Sequence, residues 1–283
     1  MINKMNLVLR KVKLSQVVLI IVLLIVGVLM LLPFFWAFAT SLRLPRYSFD
    51  LPPSFFPTDW RWDNYVHVFT AMPFAQFFKN SIIVVFTIVL VQTLFTSMAA
   101  FAFAKLKFKG RDFFFFYIIC GLMIPFQSIA IAQFLIVNQM NLVNTRWALI
   151  LPFIANPFGV FLMRQFMIGI PDSYYDAAVI DGCNKIRIYW NIMLPMSVPS
   201  LVVVAFIRFI EQWNNFFAPL IYISSTHLFT LPLGMQALRG FRSAGNLAHI
   251  MAGVMISLTV PAIVYIVGQK HLMKGTLLSG LKS

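Results

Sequence analysis

Arg208, Glu211, Gln212, Trp213, Asn214 and Asn215 crowd the end of one long apolar stretch. An ionisable side chain inside a membrane span is costly and is a functional candidate by default. Arg208 and Glu211 stand three apart, so on a helix they share a face and can pair. Such a pair either neutralises itself or meets a neighbouring subunit. Trp213 offers an aromatic face to C–H surfaces, and the amides of Asn214 and Asn215 can hold hydroxyls, a combination that suits a sugar-like solute. A Trp near a span end is equally an interface anchor. An earlier apolar stretch carries Pro152, Asn156, Pro157 and Gly159, which must interrupt a helix. Broken helices are tolerated where they are buried or face a cavity. Asn156, Glu211, Trp213, Asn214 and Asn215 are therefore candidates for a solute path.

Bond-making chemistry is missing. His67, His227, His249 and His271 are scattered without metal-ligand spacing. Cys120 falls in an apolar stretch and Cys183 in a polar one, so no disulfide joins them. No nucleophile, base or metal cluster sits at a bilayer face, and no G-x-x-x-x-G-K-[ST] loop is present to hold ATP. The chain is expected to be no enzyme and to hold no cofactor of its own.

The second candidate site is a polar insert, Asp176-Ala177-Ala178-Val179-Ile180-Asp181-Gly182-Cys183-Asn184, running on to Leu194-Pro195-Met196-Ser197-Val198-Pro199. Ser173 with Asp176 has the form of a capping box, following a Pro171 that stops any arriving helix. A short helix then runs to about Ile180 or Asp181. Gly182 supplies the left-handed residue that ends it. Asn184 can cap a second short helix over 185–193, which Leu194-Pro195 terminates. Ala177 and Ala178 thin one face so that another surface can approach. Asp176 and Asp181 present carboxylates, and Tyr189 and Ile192 an apolar contact. The insert either docks a partner or folds back on its own helices.

Both sites need a membrane frame. Of the 283 residues 60% are hydrophobic and 11% charged, with mean hydropathy +0.86; soluble chains carry about 25% charged residues. About 20 apolar residues span a bilayer as a helix. Six stretches qualify, roughly 15–38, 81–104, 113–134, 147–166, 197–219 and 248–268. Basic residues give a net charge of +14, and because they flank apolar stretches they speak for headgroups and topology rather than nucleic acid. An inner N-terminus puts the Lys105, Lys107, Lys109, Arg111 cluster inside, together with Lys185, Arg187, Lys270 and Lys282. Counted over all inner segments this topology places 14 basic residues inside against 7 outside, so both termini and the polar insert are expected in the cytoplasm. The first apolar stretch is longer than a signal peptide core and is kept as a helix. Pro45, Pro52, Pro53 and Pro57 argue against a regular helix after it, and Trp60, Trp62 and Tyr65 suit an interfacial belt.

The insert resembles the cytoplasmic coupling motif of ABC importer permeases, E-A-A-x-x-x-D-G allowing for spacing variants, followed by an aromatic and L-P-x-x-x-P. Ala177, Ala178, Asp181, Gly182, Leu194, Pro195 and Pro199 match. Asp176 stands where the family has Glu, and Tyr189 where Phe is usual. Further segments are similar to the carbohydrate-uptake branch that includes the maltose permease G subunit: Asn64-Tyr65, Asn80-Ser81, Phe161 to Phe166, Gln212-Trp213-Asn214, Leu231 to Gly234, and the tail from Gln269.

The resemblance implies an all-α membrane protein of six transmembrane helices, N-in and C-in, with the transmembrane domain of a type I ABC importer and a cytoplasmic coupling helix-turn-helix. It implies 1–75 as N-terminal segment, first helix and outer loop, 76–270 as permease domain and 271–283 as tail. The partners would be a second homologous permease subunit, two ATPase subunits that bind the ATP, and an extracytoplasmic sugar-binding protein in a bacterial cytoplasmic membrane. Asp176, Ala177, Ala178, Asp181, Gly182, Tyr189, Leu194 and Pro195 would couple to the ATPase. A peptide, amino-acid or polyamine ABC permease is the neighbouring reading. An ion-coupled secondary transporter would want inverted repeats and more acidic residues at mid-membrane than Glu211 alone.

Overall fold

The computed structural model describes residues 14–44, 56–57, 59–240 and 247–280, and among them every regular element is helical. The expectations at Pro45, Pro52, Pro53 and Lys282 lie outside the described residues. By internal contact the chain divides into two units, Met1–Val68 with Ser243–Met255, and Phe69–Arg242 with Ile256–Ser283.

In the first unit, α1 (Leu14–Ser41) is apolar almost throughout, and most of its side chains from Val17 to Phe35 are exposed. A helix apolar on every face suits lipid. At its end Asn64, on α2 (Asp63–Ala71), donates to the carbonyls of Ser41 and Arg43, each at 2.8 Å. Trp60 and Trp62 are stacked and exposed. The His67 and His249 rings stack with centroids 4.0 Å apart.

The second unit is organised on α3 (Phe74–Lys105). Next come α4 (Arg111–Cys120) and α5 (Phe126–Gln139), which meet at a 106° bend. Pro125 causes it: Ile124 before the ring is extended, as sterics require, and the ring has no N–H to continue the helix. The α6 helix (Arg146–Ile150) and α7 (Pro157–Ile168) flank the break expected from Pro152, Asn156 and Pro157, with a 41° bend. Asn156 caps α7, accepting from the Gly159 N–H at 3.0 Å. Gly159 lets α7 lie close against α3, since an added Cβ would lie 2.9 Å from the Thr96 methyl.

The polar insert holds α8 (Asp172–Ile180), α9 (Lys185–Ile188) and α10 (Leu194–Met196). Then follow α11 (Val198–Trp213), α12 (Phe217–Tyr222), α13 (Leu231–Gly240) and α14 (Leu247–Gly280). Among the described residues three helices are long and apolar enough to cross a membrane, or six if each of three bent helix pairs is one span. Each of the six expected stretches overlaps one of these, with 197–219 running past the pair that ends at Trp213.

Two apolar clusters hold this unit together. One packs around the start of α3 with Ile88, Leu149, Phe153 and Tyr222. The other packs around its end with Phe101, Met163, Met167, Ile188 and Met193. The fully enclosed Asn80 ties the start of α3, donating to the carbonyls of His227 at 2.8 Å and Phe229 at 2.9 Å and accepting from Arg146 at 3.0 Å.

Candidate coupling surface and membrane-interior polar cluster

The first insert helix ends as its glycine dictates. Gly182 has φ +77; its N–H bonds the Val179 carbonyl at 3.0 Å, and the Cys183 N–H bonds Ala178 at 2.9 Å. This pair of bonds is the Schellman arrangement, which needs a left-handed residue at Gly182. Asn184 caps the second helix as expected, accepting from the Arg187 N–H at 2.8 Å.

Two expectations about the insert need correction. Ser173 is not a cap: α8 begins one residue earlier, directly after Pro171, and no side chain caps it. Pro171 is extended and makes Asp172 the first helical residue, which leaves Ser173 inside the first turn. Pro195 does not end the second helix either. A π-turn over Tyr189–Met193 widens the helix ahead of the ring, helical structure continues to Met196, and the 77° bend falls at Ser197. The wider turn absorbs the N–H that proline lacks.

The coupling candidates fall into two groups. Asp176, Ala177, Asp181, Gly182 and Pro195 are exposed, whereas Ala178 and Tyr189 are buried and Leu194 is half-buried. Tyr189 shares a 2.7 Å hydrogen bond with Ser97 of α3 and packs against Phe101. The exposed apolar surface comes instead from Ile180, 86% exposed, and Ile186, 71% exposed, with Tyr174 and Val179 beside them. Sequence reasoning passed over these residues. The available signal was apolar residues in an otherwise polar insert, where solvent offers them nothing.

Lys105 was also missed. Its side chain is buried, and its Nζ donates to the Ile170 carbonyl at 2.7 Å and to the Asp172 carboxylate. The hydrogen bond from Lys105, reinforced by its charge, holds the Asp172 carboxyl below the usual carboxylate range. Lys105 is the last residue of α3, where a cation also suits the helix dipole.

The second group of polar residues meets inside the apolar region. Arg208 donates to Gln92 Oε1 at 2.9 Å, to the Phe153 carbonyl at 3.1 Å and to Glu211 at 2.9 Å. With its amide oxygen turned toward Arg208, Gln212 accepts from both terminal guanidinium nitrogens at 3.1 and 3.2 Å. Arg208 thus satisfies a carbonyl that the break between α6 and α7 leaves open. The expected pairing of Arg208 with Glu211 is present; the arginine is nearly enclosed and the carboxylate about half exposed.

The other path candidates are spread out. Trp213 is enclosed, stacked on Phe209 and edged by Phe78. Asn214 is exposed and donates to the Ile210 carbonyl, and Asn215 accepts from the Ala218 N–H at the start of α12. Asn156 lines a cavity of about 450 Å³ between the two helix breaks, with Phe95, Thr96, Tyr117, Cys120 and Ile154. The wall of this cavity is mostly apolar. Among the described residues no three His, Cys, Asp or Glu side chains converge on a metal position.

Broken membrane helices and a polar helix-turn-helix riding on them define an all-helical membrane transport subunit of the type I ABC importer fold. Residues 92–274 match the family of binding-protein-dependent transport system inner membrane components, and the chain belongs to that family. It is a permease, not an enzyme, and such a permease works with a partner permease, an ATPase and a binding protein. The arabinooligosaccharides transport system permease protein AraQ of Halalkalibacterium halodurans is 36% identical over 247 residues, 87% of this chain and 88% of that protein. The sn-glycerol-3-phosphate transport system permease protein UgpE of Yersinia pestis is 28% identical, covering 90% of this chain and 93% of that one. A chain from the crystal structure of a bacterial ABC transporter that imports the acidic polysaccharide alginate shares the fold, with TM-score 0.79, 23% identity and coverage of 93% of this chain and 98% of that chain.

Proposed function

We propose that this permease imports a sugar or oligosaccharide across a bacterial cytoplasmic membrane, as half of a pore completed by a second homologous permease. The observation that carries the reading is the 36% identity to an arabinooligosaccharide permease along 87% of the chain. Two ATPase subunits dock below the permease pair, and this chain couples to the ATPase through 173–193, which lies in the cytoplasm together with both termini. Residues 76–270 form the permease domain. A sugar-binding protein delivers the solute from outside.

The exposed face of α8 and α9 supports the docking role. Ile180 and Ile186 bring apolar area, and Asp176 and Asp181 bring charge around it. A core of apolar residues with a charged rim is how protein interfaces are built. For the solute path, Glu211, Asn214 and Asn156 are the positions with exposed or cavity-lining polar atoms. Trp213 would join them only if the Phe209 and Phe78 rings moved away.

The test is reconstitution of the permease pair with its ATPase and binding protein in liposomes. The binding protein is loaded in turn with oligosaccharides, sn-glycerol-3-phosphate, peptides and polyamines. ATP-dependent uptake of an oligosaccharide is expected. Uptake of a peptide or polyamine alone would replace the sugar reading with its neighbour, and uptake that follows a proton or sodium gradient without ATP would overturn both.

A further inference from the structure

In sequence, the insert is connected to α7 on one side and α11 on the other. In space it is fastened to a third helix. Ser97, Phe101 and Lys105 follow one another at intervals of four along α3, so they form one stripe on its surface. Each makes a specific contact with the insert. Ser97 bonds the Tyr189 hydroxyl at 2.7 Å, inside the protein. The Phe101 ring packs against Tyr189 and against Tyr175 of α8, with centroids 5.6 and 6.4 Å away. Lys105 holds the Ile170 carbonyl and the Asp172 carboxylate, at the point where the chain enters α8. The stripe therefore touches both arms of the helix-turn-helix and its entry. Arg164 of α7 adds a bond to the Phe103 carbonyl at 3.2 Å, tying α7 to the same end of α3.

We infer that this stripe makes Ser97 and Lys105 positioning residues for transport: the insert moves as one body with α3, and the ATPase stroke enters the membrane through α3. The inference rests on the docking role proposed for the insert. Packed interiors transmit displacement because they barely compress, and the polar contacts, the Ser97–Tyr189 bond buried and the Lys105–Ile170 bond part-buried, fix the register that apolar packing alone leaves free to slide. Further along, α3 carries Gln92, which holds Arg208 and through it the Phe153 carbonyl at the break before α7. A shift of α3 thereby reaches the broken helix and the cavity beside it.

The experiment uses the assembled transporter. Lys105→Met keeps the buried stem and removes the ammonium, Lys105→Arg keeps a cation, and Tyr189→Phe removes one hydroxyl. Lys105→Met is expected to hydrolyse ATP at close to the parental rate while solute moved per ATP falls about 10-fold, the effect of losing the ammonium's hydrogen bonds to the Ile170 carbonyl and the Asp172 carboxylate. Lys105→Arg restores most of it. Tyr189→Phe is expected to lower solute moved per ATP, and adding Ser97→Ala to it is expected to lower it little further, because the shared bond is already gone and Ser97 then loses only its bond to the Leu94 carbonyl of its own helix. Equal falls in hydrolysis and transport, or unchanged transport per ATP in Lys105→Met, overturn the inference. Spin labels at Leu90 and Asn191, exposed positions away from the docking face of α8 and α9, give a second reading. Their separation stays constant when ATP binds if insert and α3 move together, and a change of several ångströms overturns the inference with the docking role intact. If no ATPase co-purifies, the docking role itself fails and this inference with it.

Discussion

The guanidinium of Arg208 reaches Glu211 one helical turn away at 2.9 Å, yet the two ends of this ion pair live in different surroundings. Arg208 is nearly enclosed and serves Gln92 and the Phe153 carbonyl as well; Glu211 is half exposed. Removing Arg208 strands four acceptors, on Gln92, Phe153, Glu211 and Gln212, whereas removing Glu211 strands no fully buried acceptor. Arg208→Met is therefore expected to destabilise the protein by about 1–3 kcal/mol through the stranded acceptors, and Glu211→Gln, whose amide oxygen can still accept, by about 1 kcal/mol or less. Thermal melts of the detergent-purified permease check the order.

Gly182 stands at φ +77, where its N–H is also bonded. Gly182→Ala is expected to cost about 1 kcal/mol. Gly182→Pro is expected to abolish transport, because the ring demands φ near −65° and removes the donor. Membrane abundance stays unchanged, since Gly182 itself lies outside the candidate spans. Uptake normalised to immunoblot signal separates the two outcomes.

Ile180 and Ala178 are two residues apart on α8 and answer differently to substitution. Ile180 is 86% exposed and Ala178 is 4% exposed. A photo-cross-linker at 180 is expected to capture the ATPase, and one at 178 is not. Ile180→Glu should leave the melt within about 0.5 kcal/mol of the parent and reduce ATPase co-purification. Ala178→Leu overfills the cluster around Met163 and Ile188 and is expected to cost about 1–3 kcal/mol.

Asp172 sets the pH response of the insert's anchor. Its carboxyl titrates below the usual range because Lys105 hydrogen-bonds it. A lowered carboxyl value means the contact contributes fully above the ordinary range and fades only as pH falls through the lowered value. Transport per ATP should therefore be insensitive to this group between about pH 5 and 8. Asp172→Asn should lower it at every pH in that window by the same factor, measured in proteoliposomes buffered on both sides.

The parts of this fold that were readable in advance are those decided within a few residues. Gly182 ends α8 and Asn184 caps α9 through bonds reaching three to five positions along the chain, so sequence spacing suffices. Pro125 and Pro157 mark helix breaks for the same reason. The capping box failed because a second local rule, Pro171 ahead of Asp172, took the helix start first. The π-turn before Pro195 was hidden because nothing nearby reveals whether a helix will widen or stop at a proline. Tyr189 looked like surface because it lies in a polar insert, and only its contact with Ser97, 92 positions away, puts it inside. Lys105 looked like one more basic residue in a turn; its use depends on Ile170 and Asp172, which fold back to it from beyond α7.

Asn80 fastens the start of α3 to His227 and Phe229, which are synthesised 147 and 149 residues later. A nascent chain leaves the ribosome with that amide donor already inserted and its acceptors still unmade. The knot is therefore tied near the end of translation, and a product truncated before residue 227 lacks both acceptors of that buried amide.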